Sequence, residues 1–376
     1  MKKRLFIFLF ILIASFSFAN DFYVSKLIAD KNGRILEGEN VDTVHPLASV
    51  TKLMSVLVAV DKVEKGIVNY DDMVTISRTA AYVRGSFVDF PIGEKHSLSD
   101  LLKLIIVYSG NDATYAVAEF ISGTEEKFVE EMNKKAQELG MTNTTFYTST
   151  GLPPSMTKKP ESHVDVSTTR DIALLAAEAL RHEKYIEYAS LPSVNVTING
   201  KDRKFLNRNN LLKDFKGVDG LKTGHHSLAN YNIAVSALKD DLRLILVLFG
   251  FPNEITRDNE GKKMLNYGYS NYKNVKIGSK GEFAVRIPVK NAKEKYTDLV
   301  FNSDLDITIY NDWEYEKIVT VPPFLEAPLT EGEVVGIYSI KCNNEIIAET
   351  NIILNKNLEK LSWFRKILRF LTFGLF

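Results

Sequence analysis

Ser49-Val50-Thr51-Lys52, Ser109-Gly110-Asn111 and Lys222-Thr223-Gly224 occur in that order and together hold the groups that acyl transfer at a serine requires. They supply a hydroxyl nucleophile, amines able to take its proton, and hydrogen-bonding groups for an acyl substrate, with no histidine base. On a helix, positions i and i+3 share a face, so Ser49 and Lys52 are expected one turn apart and pointing the same way. Leu53, Met54, Leu57, Val58, Ala59 and Val60 follow and read as a helix that is apolar nearly all round, hence buried and central. Burial disfavours a charged amine, so Lys52 is expected to titrate below its ordinary value of ~10.4 and to act as a base. The unpaired N–H groups and dipole of a helix start favour developing negative charge, which makes the Ser49 N–H a natural oxyanion donor.

Each string has a plainer reading when taken alone. A serine before a helix is commonly a cap, and a lysine one turn on commonly snorkels to water. The chain carries its own controls in Ser155-Met156-Thr157-Lys158 and Ser193-Val194-Asn195. The first follows Pro153-Pro154 in a stretch without apolar periodicity, where a loop fixes no mutual geometry. Ser109-Gly110-Asn111 lies between two apolar runs, 101–108 and 113–121, and reads as a tight turn between helices, with Gly110 free to take an unusual backbone angle. Lys222-Thr223-Gly224 precedes the strand-like runs 232–238 and 242–249. It is expected on a strand lining the cleft, where a lysine and a threonine hydroxyl can hold a carboxylate.

In this order and context the strings resemble the low-molecular-mass penicillin-binding proteins of the D-alanyl-D-alanine carboxypeptidase type, serine peptidase family S11. The stretches Ala48–Met54, Ser109–Ala113, Asp219–His225 and Met264–Gly268 carry the resemblance, which spans essentially the whole chain after its first segment. It implies an α+β fold: a β-lactamase/transpeptidase-like catalytic domain, in which helices cover an antiparallel sheet, followed by a small all-β sandwich and a terminal amphipathic helix. By position, Ser49 is then the acylated nucleophile and Lys52 its general base, and Ser109 relays a proton to the leaving D-alanine amine. Asn111 bonds the substrate amide, and Lys222 with Thr223 holds the terminal carboxylate. Gly224 belongs to the same strand motif, the N–H groups of Ser49 and His225 form the oxyanion hole, and Arg257 helps hold the carboxylate. Implied ligands are a peptidoglycan stem pentapeptide and β-lactam antibiotics, with no cofactor. Two stretches depart from the pattern: His226–Asn230 is bulkier than usual after the K-T-G string, and Asp89 stands in a loop that is usually apolar.

The 376 residues suffice for two domains, and 47 basic against 47 acidic side chains give no net charge, so no nucleic-acid partner is expected. Met1-Lys2-Lys3-Arg4, an apolar run over 5–14 and Ser17-Phe18-Ala19 form the n-region, h-region and cleavage site of an export signal over 1–19. Cys342 is the sole cysteine, which excludes an intramolecular disulfide and a cysteine-based metal site. The six histidines lack a zinc-ligand spacing. The catalytic domain is expected over 20–271 and a β-sandwich spacer over 272–356, from short strands at 282–289, 305–309, 317–321, 334–340 and 345–354. From 357 to 376, Leu361, Phe364, Ile367, Leu368, Leu371 and Leu375 fall at helical spacing opposite Arg365, Lys366 and Arg369. That pattern reads as a helix lying in a membrane surface, each basic residue adding roughly 1 kcal/mol on anionic lipid. The expected site is the outer face of the cytoplasmic membrane.

Nearer the start, Val24–Ala29 and Arg34–Glu37 flank Asp30-Lys31-Asn32-Gly33, a hairpin signal, and Thr168–Arg181 reads as a capped helix. Two further readings stay open. A class A β-lactamase shares the nucleophile but needs an E-x-x-x-N string before K-T-G, and none lies between Asn111 and Lys222. A non-catalytic envelope scaffold would keep the cleft without turnover.

Overall fold

The computed structural model describes residues 23–362. The expected export signal over 1–19, and residues 363–376 of the expected terminal helix, lie outside the described residues. The chain forms two compact units. The first runs through Phe215 and adds Asp219–Val235 and Ile245–Lys262; the second gathers Lys216–Val218, Ser236–Leu244 and the chain from Lys263.

The strands that matter for the site are β1 (Ser25–Asp30), β2 (Ile35–Glu39), β3 (Ser193–Ile198), β4 (Lys201–Leu206), β5 (Val218–His226), β6 (Asn230–Lys239) and β7 (Leu242–Phe251). The main sheet has the order β2-β1-β7-β6-β5. β7 is its central strand and is buried at every position except Arg243, which accounts for its unbroken apolar run rather than an alternating one. The β1–β2 hairpin forms where the Asn-Gly signal lies: Asp30 Oδ1 accepts from the N–H groups of Asn32 and Arg34 at 2.9 and 3.1 Å, and Gly33 takes a φ of 82° that costs glycine little.

Three helices of the core matter for the site, α1 (Lys52–Glu64), α2 (Leu98–Val107) and α3 (Asn111–Ser122). α1 is buried continuously from Lys52 to Val60, in keeping with its all-round apolar pattern. α2 is capped by Ser97, whose hydroxyl accepts from the Asp100 N–H, and seven of its ten residues are buried. Each such leucine or isoleucine contributes about 1.5–3 kcal/mol by leaving water. The helix expected over 168–181 is present as Thr169–Ala179, with Thr168 capping Asp171 N–H.

The second unit holds a six-stranded sheet in the order Glu316–Thr320, Val334–Cys342, Glu345–Leu354, Tyr296–Phe301, Phe283–Lys290, Leu325–Glu326, and a separate pair, Tyr272–Gly278 with Leu305–Tyr310. Its core includes Leu299, Ile307, Ile340, Ile352 and Leu354. The start of the expected terminal helix is extended instead: Leu358 bridges Leu329 and Lys360 bridges Ala292. Leu358 is buried in this core, so its apolar side chain serves the sandwich rather than a helix face. Among the described residues no helix is long and apolar enough to cross a membrane.

Candidate active site

Ser49 lies in one turn of 3₁₀ helix, Ala48–Thr51, that runs directly into α1 at Lys52. Side chains at i and i+3 nearly eclipse in a 3₁₀ turn, a tighter alignment than the α-helical start expected from the sequence. Lys52 Nζ is 2.9 Å from Ser49 Oγ. The same Nζ donates to the Thr150 carbonyl at 2.6 Å, which leaves its lone pair to the serine once the amine is neutral. Lys52 is wholly buried. Burial first, and the nearby Lys222 second, hold its pKa well below the ordinary lysine value, against the opposing pull of Asp165 and Asp112.

Close backbone contact holds this turn in place. A Cβ on Gly151 would stand 1.9 Å from the Ala48 carbonyl oxygen, and a Cβ on Gly224 would stand 2.6 Å from the Leu47 oxygen and 2.9 Å from Val50 N. Gly224 therefore lets β5 press against the nucleophile turn, which brings its neighbour His225 there. Ala48 itself sits at φ 50°, a left-handed conformation costing of order 1–3 kcal/mol that persists only under such constraint. Part of that constraint is Asp165, fully buried, whose carboxylate accepts from Thr51 Oγ1, the Tyr147 and Thr148 N–H groups and Thr148 Oγ1 at 2.6–3.0 Å. Desolvation raises its pKa to about 6 despite those four donors.

Lys222 lies on β5, as expected, and its Nζ donates to the Thr223 carbonyl at 2.9 Å. Burial, then repulsion from Arg208 and Arg257, lowers its pKa to about 7. Two buried amines that repel each other cannot easily both stay charged.

Ser109-Gly110-Asn111 forms the turn between α2 and α3. The unusual angle belongs to Ser109, at φ 72°, while Gly110 caps α3 at φ −60°. The glycine is needed for space, because its Cβ would meet Val88 Cγ2 at 2.9 Å. Ser109 Oγ and Asn111 Oδ1 are buried without a hydrogen-bond partner, while Asn111 Nδ2 donates to the Arg84 carbonyl at 2.6 Å. Buried polar atoms are normally paired, and Ser109 also lines the cleft described below. Asp112 fixes the facing loop by accepting from Val88 and Asp89 N–H at 2.9–3.0 Å. Asp89 is exposed, which explains how a carboxylate is tolerated there.

A cleft of about 350 Å³ is lined by Ser49, Ser109, Thr223, Gly224, His225 and Arg257 of the expected set, and by Gly85, Ser86, Tyr108, Arg208, Tyr231 and Glu254. Lys52, Asn111 and Lys222 are buried and stand outside this lining. Residues 23–253 match the model of the family described as D-alanyl-D-alanine carboxypeptidase. The chain belongs to that family. Residues 272–360 match a second model, that of the penicillin-binding protein 5 C-terminal domain. D-alanyl-D-alanine carboxypeptidase DacF of Bacillus subtilis is 33% identical over 339 residues, 89% of this chain and 85% of that protein. The crystal structure of penicillin binding protein 5 from Haemophilus influenzae aligns with a TM-score of 0.77 at 33% identity, covering 90% of this chain and 98% of that one. Penicillin-binding protein D2 from Listeria monocytogenes, solved in an ampicillin-bound form, aligns with a TM-score of 0.56 at 27% identity over 66% of this chain and 97% of that one.

Against that carboxypeptidase frame, the departure over His226–Asn230 acquires a reason. His226 Nδ1 accepts from the N–H groups of Leu228 and Ala229 at 3.2 and 3.1 Å, so the bulkier β5–β6 turn is built around a neutral imidazole. Burial is the main cause that lowers its pKa to about 4. His225 packs against Tyr231 with ring centroids 4.0 Å apart and planes tilted by 30°. Arg257 is almost fully buried, and its Nε and Nη2 donate to Asp258 Oδ1 at 2.8 and 2.7 Å, so its charge reaches the cleft partly neutralised. Sequence reasoning missed Arg208, Tyr231 and Asp165. The polar run Asn207-Arg208-Asn209-Asn210 was the available signal for the first, and no string marked the other two.

Proposed function

We propose that this chain is a serine D-Ala-D-Ala carboxypeptidase that removes the terminal D-alanine from peptidoglycan pentapeptides through an acyl-enzyme on Ser49. The observation that carries this reading is the 2.9 Å approach of Ser49 Oγ to the Lys52 amine, which is wholly buried and whose pKa is lowered by burial and by the also buried Lys222. Ser49 Oγ attacks the carbonyl carbon of the penultimate D-alanine as Lys52 takes its proton. The oxyanion is held by the N–H groups of Ser49 and His225. The carbon–nitrogen bond then breaks, Ser109 delivers a proton to the leaving amine, and water hydrolyses the ester. Asn111 bonds the substrate amide, while Thr223, Arg208 and Arg257 at one end of the cleft, with Lys222 behind them, attract the terminal carboxylate. A β-lactam enters the same first step, its ring nitrogen remaining tethered.

An envelope location follows from that substrate, with 1–19 as export signal and 363–376 as part of a membrane foot. Incubation with a pentapeptide is expected to release D-alanine, and benzylpenicillin is expected to add one adduct, at Ser49, by intact mass. Equal D-alanine release by Ser49→Ala rejects the assignment. Nitrocefin turnover matching that of a β-lactamase replaces it with the β-lactamase reading.

A further inference from the structure

We propose that Asp165 is a positioning residue for the Ser49–Lys52 pair: it ties the nucleophile turn to the loop that holds the Lys52 amine, and its negative charge strengthens that amine as the base. This role rests on the carboxypeptidase reading, in which Lys52 takes the serine proton.

One residue makes both ties. Asp165 Oδ2 accepts from Thr51 Oγ1 at 3.0 Å, the neighbour of Lys52 in the chain, and from Thr148 Oγ1 at 2.7 Å. Its Oδ1 accepts from the N–H groups of Tyr147 and Thr148 at 2.6 and 3.0 Å, and its backbone carbonyl accepts from Leu47 N–H at 2.9 Å. The loop held in this way carries the Thr150 carbonyl that receives Lys52 Nζ at 2.6 Å. Thr148 Oγ1 also accepts from the N–H of Gly151 at 2.8 Å, and Ser55 of α1 donates to the Ser149 carbonyl at 2.5 Å. The amine therefore lies between a turn and a loop that share Asp165 as their anchor.

Tethering alone does not call for a charge. The four groups that donate to the carboxylate are neutral, and an asparagine would satisfy all of them. Its carbonyl would keep the two N–H donors, and its amide nitrogen would donate to the two hydroxyls, which also accept. A carboxylate buried among neutral donors is the costlier choice. What the charge adds is electrostatic: when Lys52 takes the serine proton it becomes a buried cation, and a nearby anion favours that form. Lys222 on β5 opposes the Lys52 cation, whereas Asp165, and after it Asp112 on α3, favours it. Desolvation raises the Asp165 pKa to about 6, so the carboxylate is ionised at neutral pH and above. The other charged groups bonded to this loop, Glu125 and Lys159, lie 3.6 Å apart and bond to Ser149 and to the Tyr147 carbonyl, and the His163 ring stacks on Tyr147 at 4.5 Å.

The test follows benzylpenicillin acylation by intact mass across pH 5–9, and D-alanine release from a pentapeptide, in the wild type and three variants. Asp165→Asn keeps the ties and removes the charge. Its acid limb is expected to move lower by at least about half a pH unit, because Lys52 loses an attraction for its proton, and its rate above the limb to fall at least about threefold. Its KM for the pentapeptide is expected to stay within about twofold, since Asp165 does not line the cleft. Thr51→Val removes one tie and keeps the charge, so its rate is expected to fall at least about threefold with the limb in place. Asp165→Ser, smaller and neutral, is expected to shift the limb as the asparagine does, and it replaces that variant if the asparagine folds poorly. An unmoved limb in the neutral variants, an equal shift in Thr51→Val, or a wild-type rate in Thr51→Val overturns the proposal. Failure of both neutral variants to fold also overturns it, because Asp165 then serves folding alone. Absence of both adduct and D-alanine release in the wild type overturns the carboxypeptidase reading together with it, so the two failures are told apart.

Discussion

Lys52, Lys222, Arg257, Asp112, Asp165 and Asp171 are almost wholly buried in the first unit, whereas the buried polar side chains of the strands from Tyr272 onward are the hydroxyls of Thr297, Thr308, Ser339 and Thr350. Burying a charge costs several kcal/mol unless it is paired or neutralised, while burying a hydroxyl with a partner costs little. Among its described residues the all-β unit buries none of the expensive groups. In the unit with the cleft, burial shifts the protonation of Lys52, Lys222 and Asp165, and groups perturbed in this way cluster at functional sites. Buried charge thus locates the chemistry, and its absence from the sandwich core matches the absence of any catalytic string there.

The sharpest way to break that contrast is Lys52→Met. An apolar side chain of similar length tolerates the site, so the melting temperature is expected to hold or rise, while acylation by benzylpenicillin falls at least about 10³-fold. Rapid acylation of that variant, followed by intact mass, removes Lys52 from the role of base.

The pH profile is the next largest effect. With Lys222 lowered to about 7 and Lys52 also lowered, kcat/KM is expected to fall about tenfold per pH unit below that range as the pair protonates. The effect on stability has the same sign. Between pH about 7 and 10.5 the unfolded chain binds the Lys222 proton and the folded chain does not, so its contribution to folding is full above the unfolded value and is lost as pH falls through 7. Lys222→Met is expected to flatten that slope in thermal unfolding across pH 7–10. An unchanged slope contradicts the buried-amine account.

Gly224→Ala probes geometry rather than charge. A methyl group 2.6 Å from the Leu47 oxygen must push β5 off the nucleophile turn, for an expected loss of about 1–3 kcal/mol in denaturant unfolding and at least tenfold in acylation rate. The smallest effect belongs to the sandwich. Thr350→Val removes a 2.8 Å hydroxyl pair with Ser303 and is expected to cost about 1 kcal/mol, with acylation unchanged within twofold. A larger effect on acylation there shows that the second unit shapes the site.

Two of the S-x-x-K strings, at Ser49 and Ser155, show how far local reading reaches. Ser155 and Lys158 are exposed, and Lys158 ends a four-residue helix in the left-handed conformation. Ser49 and Lys52 instead open a buried helix, and the apolar residues that follow them were enough to separate the pair from its decoy. Reading by residue type went astray at Gly110, where the turn needed a missing Cβ and the unusual φ passed to Ser109. It also extended the terminal amphipathic pattern back over Leu358, because an isolated leucine has the same spacing whether it faces lipid or fills a sandwich core.

What the sequence by itself determined is short-range: a serine and lysine one turn apart, a helix apolar on every face, a polar turn between two helices, an Asn-Gly hairpin near the start. These follow from helical period, side-chain type and backbone freedom, which act within a few residues. The tertiary structure decided which distant groups meet. Thr150 reaches Lys52 across 98 residues, and Lys222 comes close enough to lower its charge. Arg208 stands 4.6 Å from the Tyr108 ring, which itself meets Phe205 at 4.9 Å. Desolvation and electrostatic coupling depend on the packing of the whole unit around each group, and no string of neighbours encodes that.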